Sequence, residues 1–326
     1  MINFRARAKV LGWILLNNII GKNGQKLVGT GGSNSARYCY SVWMRHLVSL
    51  NQIYGMQQIP AVVAEIGPGD SLGTGFAALL SGSDKYYSLD TVSYCNTQKN
   101  IKIFDEIVEL FQNKEDIPNE EEFPKINPKL NSYSFPDHLF SDSYLHTMLS
   151  DDRIAQIRQN IASVNSSNGS VYYYAPWCDS SVVQEHSVDF LFSQAVLEHV
   201  DDLPLVYNSM KKWLKKDGTI VAIIDFKSHG TSVEWNGHWE YSDLVWKIIR
   251  GRAPYLINRS PLSHHLKCLN QTDFELIHMH RVERYGGIQR EKLAERFKNL
   301  TESDLSTSGV YLIFKNRNVD EVNNAS

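Results

Sequence analysis

No two of the four cysteines, Cys39, Cys95, Cys178 and Cys268, form a CxxC pair, so neither a disulfide framework nor a zinc knuckle is indicated. A reducing cytoplasm is the expected compartment, and the sequons at Asn168 and Asn258 then carry no meaning. An excess of one charge is also missing. The 33 Lys and Arg against 36 Asp and Glu leave a formal net charge of −3, which excludes a global field drawing the chain to nucleic acid or to an anionic membrane. No apolar run is long enough to span a bilayer. The nearest candidate, Val10 to Leu16, follows Arg5, Arg7 and Lys9 as in a signal peptide, but it runs into Asn17-Asn18 with no small-residue cleavage site. Residues 3–20 are read as an amphipathic helix, either packed on the domain or lying on the inner membrane surface as a peripheral contact. There is no internal repeat and no complete G-x-G-x-x-G. The balance of 42% hydrophobic and 21% charged residues is globular, and 326 residues suit one large domain with insertions or two small ones.

What is present is alternation. Residues 1–58 read as a helical cap, with a mobile Gly-rich loop over 21–35 and a helix over Ala36–Tyr54 rich in Tyr38, Tyr40, Trp43, Met44 and Leu47. Pro60 ends that region, and residues 59–318 form the main domain. Strand 61–66 leads to helix 71–81, and strand 86–90 to helix 97–112. Strand 171–175 follows a long gap. Strand 188–193 precedes a helix near 203–215, then a Lys216-Asp217-Gly218 turn and the apolar strand 219–225. Near-continuous apolar strands are buried on both faces, as in a parallel sheet. Strands over 274–280 and 309–314 flank a helical segment at 288–298, and 319–326 reads as a disordered tail. The whole is an α/β, Rossmann-like, mostly parallel seven-stranded sheet with an antiparallel last strand and helices on both faces. Two stretches exceed a minimal sheet: 113–170, read as a lid with Ser150-Asp151 capping helix 152–163, and the aromatic-rich 227–262, read as a substrate wall.

The chemistry begins at Val62-Val63-Ala64-Glu65-Ile66-Gly67-Pro68-Gly69-Asp70. An apolar strand ends in an acid, and a Gly turn then lets backbone approach a ligand at a helix N-terminus. Asp90, 21 residues past Gly69 and ending the next strand, has the spacing of a ribose-binding acid. These residues specify a nucleotide-like ligand and no more.

The segment Ser193-Gln194-Ala195-Val196-Leu197-Glu198-His199-Val200, taken with E-x-G-x-G, Asp90 and the Lys-Asp-Gly before strand five, resembles the class I S-adenosylmethionine-dependent methyltransferases, in particular the type 11-like group. The resemblance runs in register over roughly residues 60–225, blurred by the insertion between strands two and three. It implies S-adenosylmethionine as cofactor. Glu65 would lie near the methionine amino group, with Gly67, Pro68, Gly69 and Asp70 forming the turn and Asp90 on the ribose. Ser193 and Gln194 would floor the space between cofactor and acceptor. The adenine-contacting acid would be Asp179, or Trp177 would stack on the ring. Arg37, Tyr40 and Arg45 would close the pocket from the N-terminal helix.

Methyl transfer is an in-line displacement in which the protein supplies alignment and a base for a hydroxyl acceptor. His229, His238 and His199 are the candidate bases, and Trp235, Trp239 and Tyr241 the candidate substrate contacts. No metal ligands are assigned. The context of Ile224 to Gly230 and Trp235 to Trp239 resembles bacterial methyltransferases of surface-polysaccharide and glycan synthesis. The expected function is O-methylation of a sugar or glycan intermediate, a small-molecule or glycan substrate with no nucleic acid, in the cytoplasm or peripheral to the inner membrane. The alternatives left open are a lipid or small aromatic acceptor, a non-catalytic cofactor-binding protein, and a dinucleotide oxidoreductase. Oligomeric state is not legible.

Overall fold

The computed structural model describes residues 32–177, 179–253 and 255–317, with Gly12 alone from the N-terminal stretch. The expected helix and membrane contact over 3–20 and the tail 319–326 therefore lie outside the described residues, Gly12 apart, as does Cys178. The sheet has seven strands in the order β3-β2-β1-β4-β5-β7-β6, the last in sequence, β7 (Thr307–Asn316), being antiparallel, as expected. The chain divides into two compact units, one of residues 32–194, 209–221 and 313–317, the other of 195–208 and 222–312.

In the first unit, β1 (Val62–Ile66) pairs in parallel with β2 (Lys85–Leu89) and β4 (Val188–Gln194), and β2 with β3 (Val171–Tyr174). Central strands of this kind have no solvent face, which explains runs such as Val-Val-Ala-Glu-Ile. The register sets Ile66 beside Leu89 on one side and Ser193 on the other, so the segments leaving β1, β2 and β4 start together.

Helix α1 (Ala36–Tyr54) starts where Ser35 accepts a hydrogen bond from the Tyr38 N–H and stops at Gly55, whose φ of 75° breaks the ladder. It is buried almost all round. Trp43, fully buried, packs on Phe190 and Phe192 and donates its indole N–H to Ser81 Oγ at 2.7 Å. A side chain of that size contributes about 1.5–3 kcal/mol through burial alone.

What covers the rest of α1 is the insertion. Arg37 pairs with Glu122 at 2.7 Å, Tyr40 Oη donates to Glu115 O at 2.7 Å, and buried Arg45 donates to Pro118 O and Ile126 O at 2.7 and 2.9 Å. These three side chains, expected on the cofactor, are occupied in pinning residues 115–126. Further on, helices α4 (Asp142–Met148) and α5 (Asp151–Ala162) are tied to the end of α2 (Gly73–Ser81). Tyr144 Oη donates to Ser81 O, and Arg153 donates to Leu79 O and Ser83 O. With bonds to the helical scaffold at both ends, 113–162 has the contacts of a fixed brace rather than a lid. Ser150 stands at the start of α5, but its side chain makes no capping bond. Helix α3 (Thr97–Gln112) has its expected bounds.

Two expectations fail for local reasons. Lys216-Asp217-Gly218 is no turn: β5 (Leu214–Asp225) runs straight through it. The Asn316 amide donates to Leu214 O and Lys215 O, and Lys215 Nζ meets Asp189 Oδ1 at 2.7 Å, so both flanks hold the chain extended. In the second unit, 288–298 is not a helix but two short 3-10 turns, 290–292 and 295–297. Its apolar residues Ile288, Leu293 and Phe297 join Trp239 and Leu300 in one cluster, a spacing that fits no single helical stripe.

That second unit also holds α7 (Asp243–Arg250), α8 (Leu262–Gln271), β6 (Phe274–Glu283) and α9 (Glu302–Ser306), the last closed by a capping box between Thr301 and Asp304. Buried Arg259 organises part of it. Its guanidinium donates to Tyr241 O at 2.7 Å and Asp243 Oδ1 at 2.5 Å, and lies 4.8 and 5.0 Å from the Trp246 and Phe297 rings.

Within α2, a Cβ on Gly75 would stand 2.2 Å from the Tyr86 ring. Gly75→Ala is expected to destabilise the protein by about 1–3 kcal/mol through overpacking, read as a lower urea midpoint at unchanged m.

Candidate cofactor and acceptor sites

In the first unit β1 delivers Glu65 and Ile66 to the turn Gly67-Pro68-Gly69, where the glycines take φ of 75° and 73°. Side chains rarely enter that region, so the turn needs both glycines and leaves bare backbone facing outward. The Gly67 N–H donates to Leu89 O at 2.8 Å, fastening the turn to the end of β2. Asp90 follows. Its carboxylate accepts from the Thr91 N–H at 2.7 Å and the Val92 N–H at 3.3 Å, with the Gly69 N–H also acting on it. Burial pushes its carboxyl up to about 6 against the pull of those donors. The residues that sequence spacing linked thus meet across adjacent strands.

Glu65 is 3% exposed and accepts from the Tyr86 hydroxyl. Burial pushes its carboxyl up to about 8; the Tyr86 bond opposes the rise and Asp90 adds to it. Asp70 is buried, and its N–H donates to Ser33 Oγ at 2.8 Å. Ser193, at the end of β4, is fully buried with its hydroxyl unpartnered. Gln194 Oε1 lies 3.1 Å from His46 Nε2, and burial pushes that imidazole down to about 3, so His46 is neutral and donates. After β3, Trp177 donates its backbone N–H to Asp90 O, and its ring meets Trp213 edge-on at 5.3 Å. Asp179 is exposed and accepts from the Ser181 N–H, and the Ser181 hydroxyl first and that N–H second hold its carboxyl low. It acts here as a turn cap.

In the second unit Leu197–His199 forms a 3-10 turn. Ala195, just before it, has a φ of 55°. Asn258 locks the turn: its amide donates to Leu197 O and Val200 O at 2.8 and 2.7 Å, and its N–H to Glu198 O at 2.6 Å. The loop after β5 is equally constrained. The Lys227 N–H donates to Asp225 Oδ1, the Ser228 N–H to Trp235 O and the Thr231 N–H to Ser228 O. His229 takes a φ of 47°, the strained conformation that marks a positioned side chain.

His229 Nε2 stands 3.5 Å from Asp225 Oδ2, and its ring is 5.1 Å from that of His199. Burial would raise the Asp225 carboxyl, but His229 and Lys227 outweigh it and hold it at about 2. Burial pushes His199 down to about 4. Glu198 is 3% exposed, neither of its oxygens has a hydrogen-bond partner, and burial followed by the Asp225 charge raises its carboxyl well above the ordinary value.

The structure therefore gathers His199 and His229 and separates them in kind from His238. The latter is 2% exposed, packs on Trp239, and is pushed down to about 3 by burial and then by Arg259, which leaves it no proton affinity near neutrality. The expected wall is likewise corrected. Trp239 is fully buried in its apolar cluster and donates to Arg259 O. Tyr241 donates to Thr231 O and packs with Trp246. Trp235 is buried with its indole N–H unpartnered. Aromatic density here builds a core. Sequence reading missed Tyr86, His46, Asp225 and Asn258. Only Tyr86 left a signal, since it opens the strand that ends in Asp90.

A family model described as a methyltransferase domain matches residues 139–222, about a quarter of the chain. Residues 139–222 thus match a methyltransferase domain, and the sheet has the Rossmann-like strand order of that fold. The match supports S-adenosylmethionine-dependent methyl transfer as the activity, with S-adenosylmethionine as cofactor. No curated protein matches it. Among solved structures, a methyltransferase from Methanosarcina mazei is 13% identical over 81% of this chain and 96% of its own, with a TM-score of 0.43. The phosphoethanolamine N-methyltransferase 2 of Haemonchus contortus, bound to S-adenosylmethionine, is 13% identical over 98% and 59%, with a TM-score of 0.41. The CurJ carbon methyltransferase is 12% identical over 97% and 68%, with a TM-score of 0.42. Likeness at this level identifies neither acceptor nor site residues. Among the described residues no helix of this methyltransferase is long and apolar enough to cross a membrane.

The Glu198 carboxyl sets a pH dependence. Folding binds a proton there, so between the ordinary value of 4.5 and its raised value the carboxyl lowers stability as pH rises. Each unit crossed costs about 1.4 kcal/mol, roughly 2–4 °C in Tm. In metal-free buffer Glu198→Gln is expected to match the parent near pH 4.5 and to gain stability over it as the pH is raised from there, measured by thermal unfolding.

Proposed function

We propose that this methyltransferase O-methylates a sugar or glycan intermediate of bacterial surface-polysaccharide synthesis in the cytoplasm. The observation that carries the cofactor half is the meeting of the Gly67–Gly69 turn with Asp90 beside buried Glu65. In this reading Asp90 accepts from the ribose hydroxyls and the bare turn admits the methionine end. Glu65, protonated at neutrality in the free protein, gives up its proton as the ammonium arrives. Ser193 and Gln194 border the reacting methyl, and Trp177 faces the adenine.

For the acceptor half His229 is the best placed base. It is 30% exposed, Asp225 stands beside it to stabilise the imidazolium, and a constrained loop aims it. His199 supports it and His238 is set aside. The glycan assignment rests on the resemblance around Ile224–Gly230, since the aromatic residues once counted for it are core. A lipid acceptor is the second reading, favoured by one feature: α7 exposes Leu244, Val245 and Ile248 beside Lys247.

Calorimetry with S-adenosylmethionine and S-adenosylhomocysteine, followed by turnover with labelled methyl on nucleotide-sugar, oligosaccharide and lipid acceptors, tests the reading. Cofactor binding without transfer to any sugar would refute the glycan assignment. Asp90→Ala is expected to weaken cofactor binding by about 10- to 100-fold, or ~1.4–2.7 kcal/mol; unchanged affinity sinks its ribose role. Below about pH 8 the Glu65 proton must be displaced, so affinity should fall by up to tenfold per unit toward pH 6.5 and flatten in Glu65→Gln. His229→Ala should keep cofactor affinity while turnover drops about 10²- to 10⁴-fold.

A further inference from the structure

The cluster in the second unit has a feature that a general base does not explain. Glu198 is 97% removed from solvent, neither of its oxygens makes a hydrogen bond of ordinary geometry, and the backbone N–H groups of Glu198 and Asp225 oppose its burial only in part. An orphaned buried carboxyl costs several kcal/mol unless something else satisfies it. His199 Nδ1 and His229 Nε2 are also covered and unpartnered. One ligand atom from each of Glu198, His199 and His229 lies within 4.8 Å of the other two.

We infer that Glu198, His199 and His229 form a binding site for one divalent transition-metal cation. Ligands ~2.1 Å from a tetrahedral ion stand ~3.4 Å from one another, so closing the site needs shifts of about an ångström, within the reach of side-chain rotation. Two imidazoles and one carboxylate select a borderline cation such as Zn²⁺, Fe²⁺ or Co²⁺ over Mg²⁺ or Ca²⁺, which prefer all-oxygen sets. The scaffold is suitably stiff. Asn258 fixes the turn bearing Glu198 and His199, and the bonds at Asp225, Ser228 and Thr231 fix the loop bearing His229. Asp225 Oδ2, 3.5 Å from the same His229 Nε2 and 2.8 Å from Lys227 Nζ, adds a further negative charge beside a bound cation.

Three protein ligands leave a position open, as in catalytic rather than structural sites. An acceptor hydroxyl bound there would lose its proton more readily to solvent, and His229 would then hold the ion instead of the proton.

The metal site does not rest on the methyltransferase reading, and its test reads metal directly. Protein stripped with a chelator is titrated with Co²⁺ and then Zn²⁺. The expected result is one equivalent of Co²⁺ with visible d–d absorption, displaced by Zn²⁺, and a Tm that rises with added ion. Glu198→Gln and His229→Ala should each weaken Co²⁺ binding at least 100-fold while S-adenosylmethionine affinity, measured in parallel, reports an intact fold. His264→Ala, whose Nδ1 is bonded to Ser260 Oγ, should leave Co²⁺ binding unchanged. No stoichiometric ion in the parent, or an ion retained in both Glu198→Gln and His229→Ala, overturns the proposal. Loss of cofactor binding with metal retained would instead overturn the cofactor site alone.

Discussion

A carboxyl at the buried end of β1 is the constraint around which the first unit is arranged. Glu65 sits in a strand with no solvent face, where an unpaired acid would cost several kcal/mol. Tyr86 supplies the one donor, from the neighbouring strand. For its ring to reach, the facing turn of α2 must carry no side chain, which is the place of Gly75. The same strand end must then turn at once, and Gly67 and Gly69 make that turn. One buried acid thus accounts for a tyrosine, a helix glycine and the loop in which the cofactor is expected.

The second unit handles the same problem differently. Glu198 is buried as deeply as Glu65 but has no tyrosine, and an imidazole nitrogen of each of His199 and His229 lies within 4.8 Å of a carboxylate oxygen. Glu65 is satisfied by the protein, whereas Glu198 is satisfied only if a proton or a cation comes from outside. That difference is why a metal is proposed at the second acid and not at the first, while pH acts on both.

Much of the fold was legible because it follows from burial. Helices 36–54 and 97–112 and strands β1 to β4 have nearly the bounds that periodicity sets, since their side chains face a core whatever the topology. The Gly69–Asp90 pairing was legible because strand length fixes it. What was not legible depended on partners far away in sequence. Arg45 reads as a free cation until Pro118 and Ile126 offer it carbonyls. Lys216-Asp217-Gly218 reads as a turn until Asn316 holds its flank extended. Asn258 reads as an idle sequon until its amide is seen closing the turn at Glu198. Glu198 reads as one more letter of a motif, because burial without a partner leaves no trace in composition.

The aromatic residues of 235–246 show why density in a sequence is a poor guide to recognition. Trp239, Tyr241 and Trp246 lie around Arg259, whose guanidinium is paired to Asp243 and sandwiched between rings. A buried cation needs such surroundings, and once they are used they face no ligand. On the proposed reading, acceptor selection in this unit would fall to the polar rim: Asp225, Lys227, His229 and the turn at Glu198. A site of that composition would discriminate by unpaired polar groups, and so would reject an acceptor lacking the right hydroxyl more strongly than one with an extra methylene.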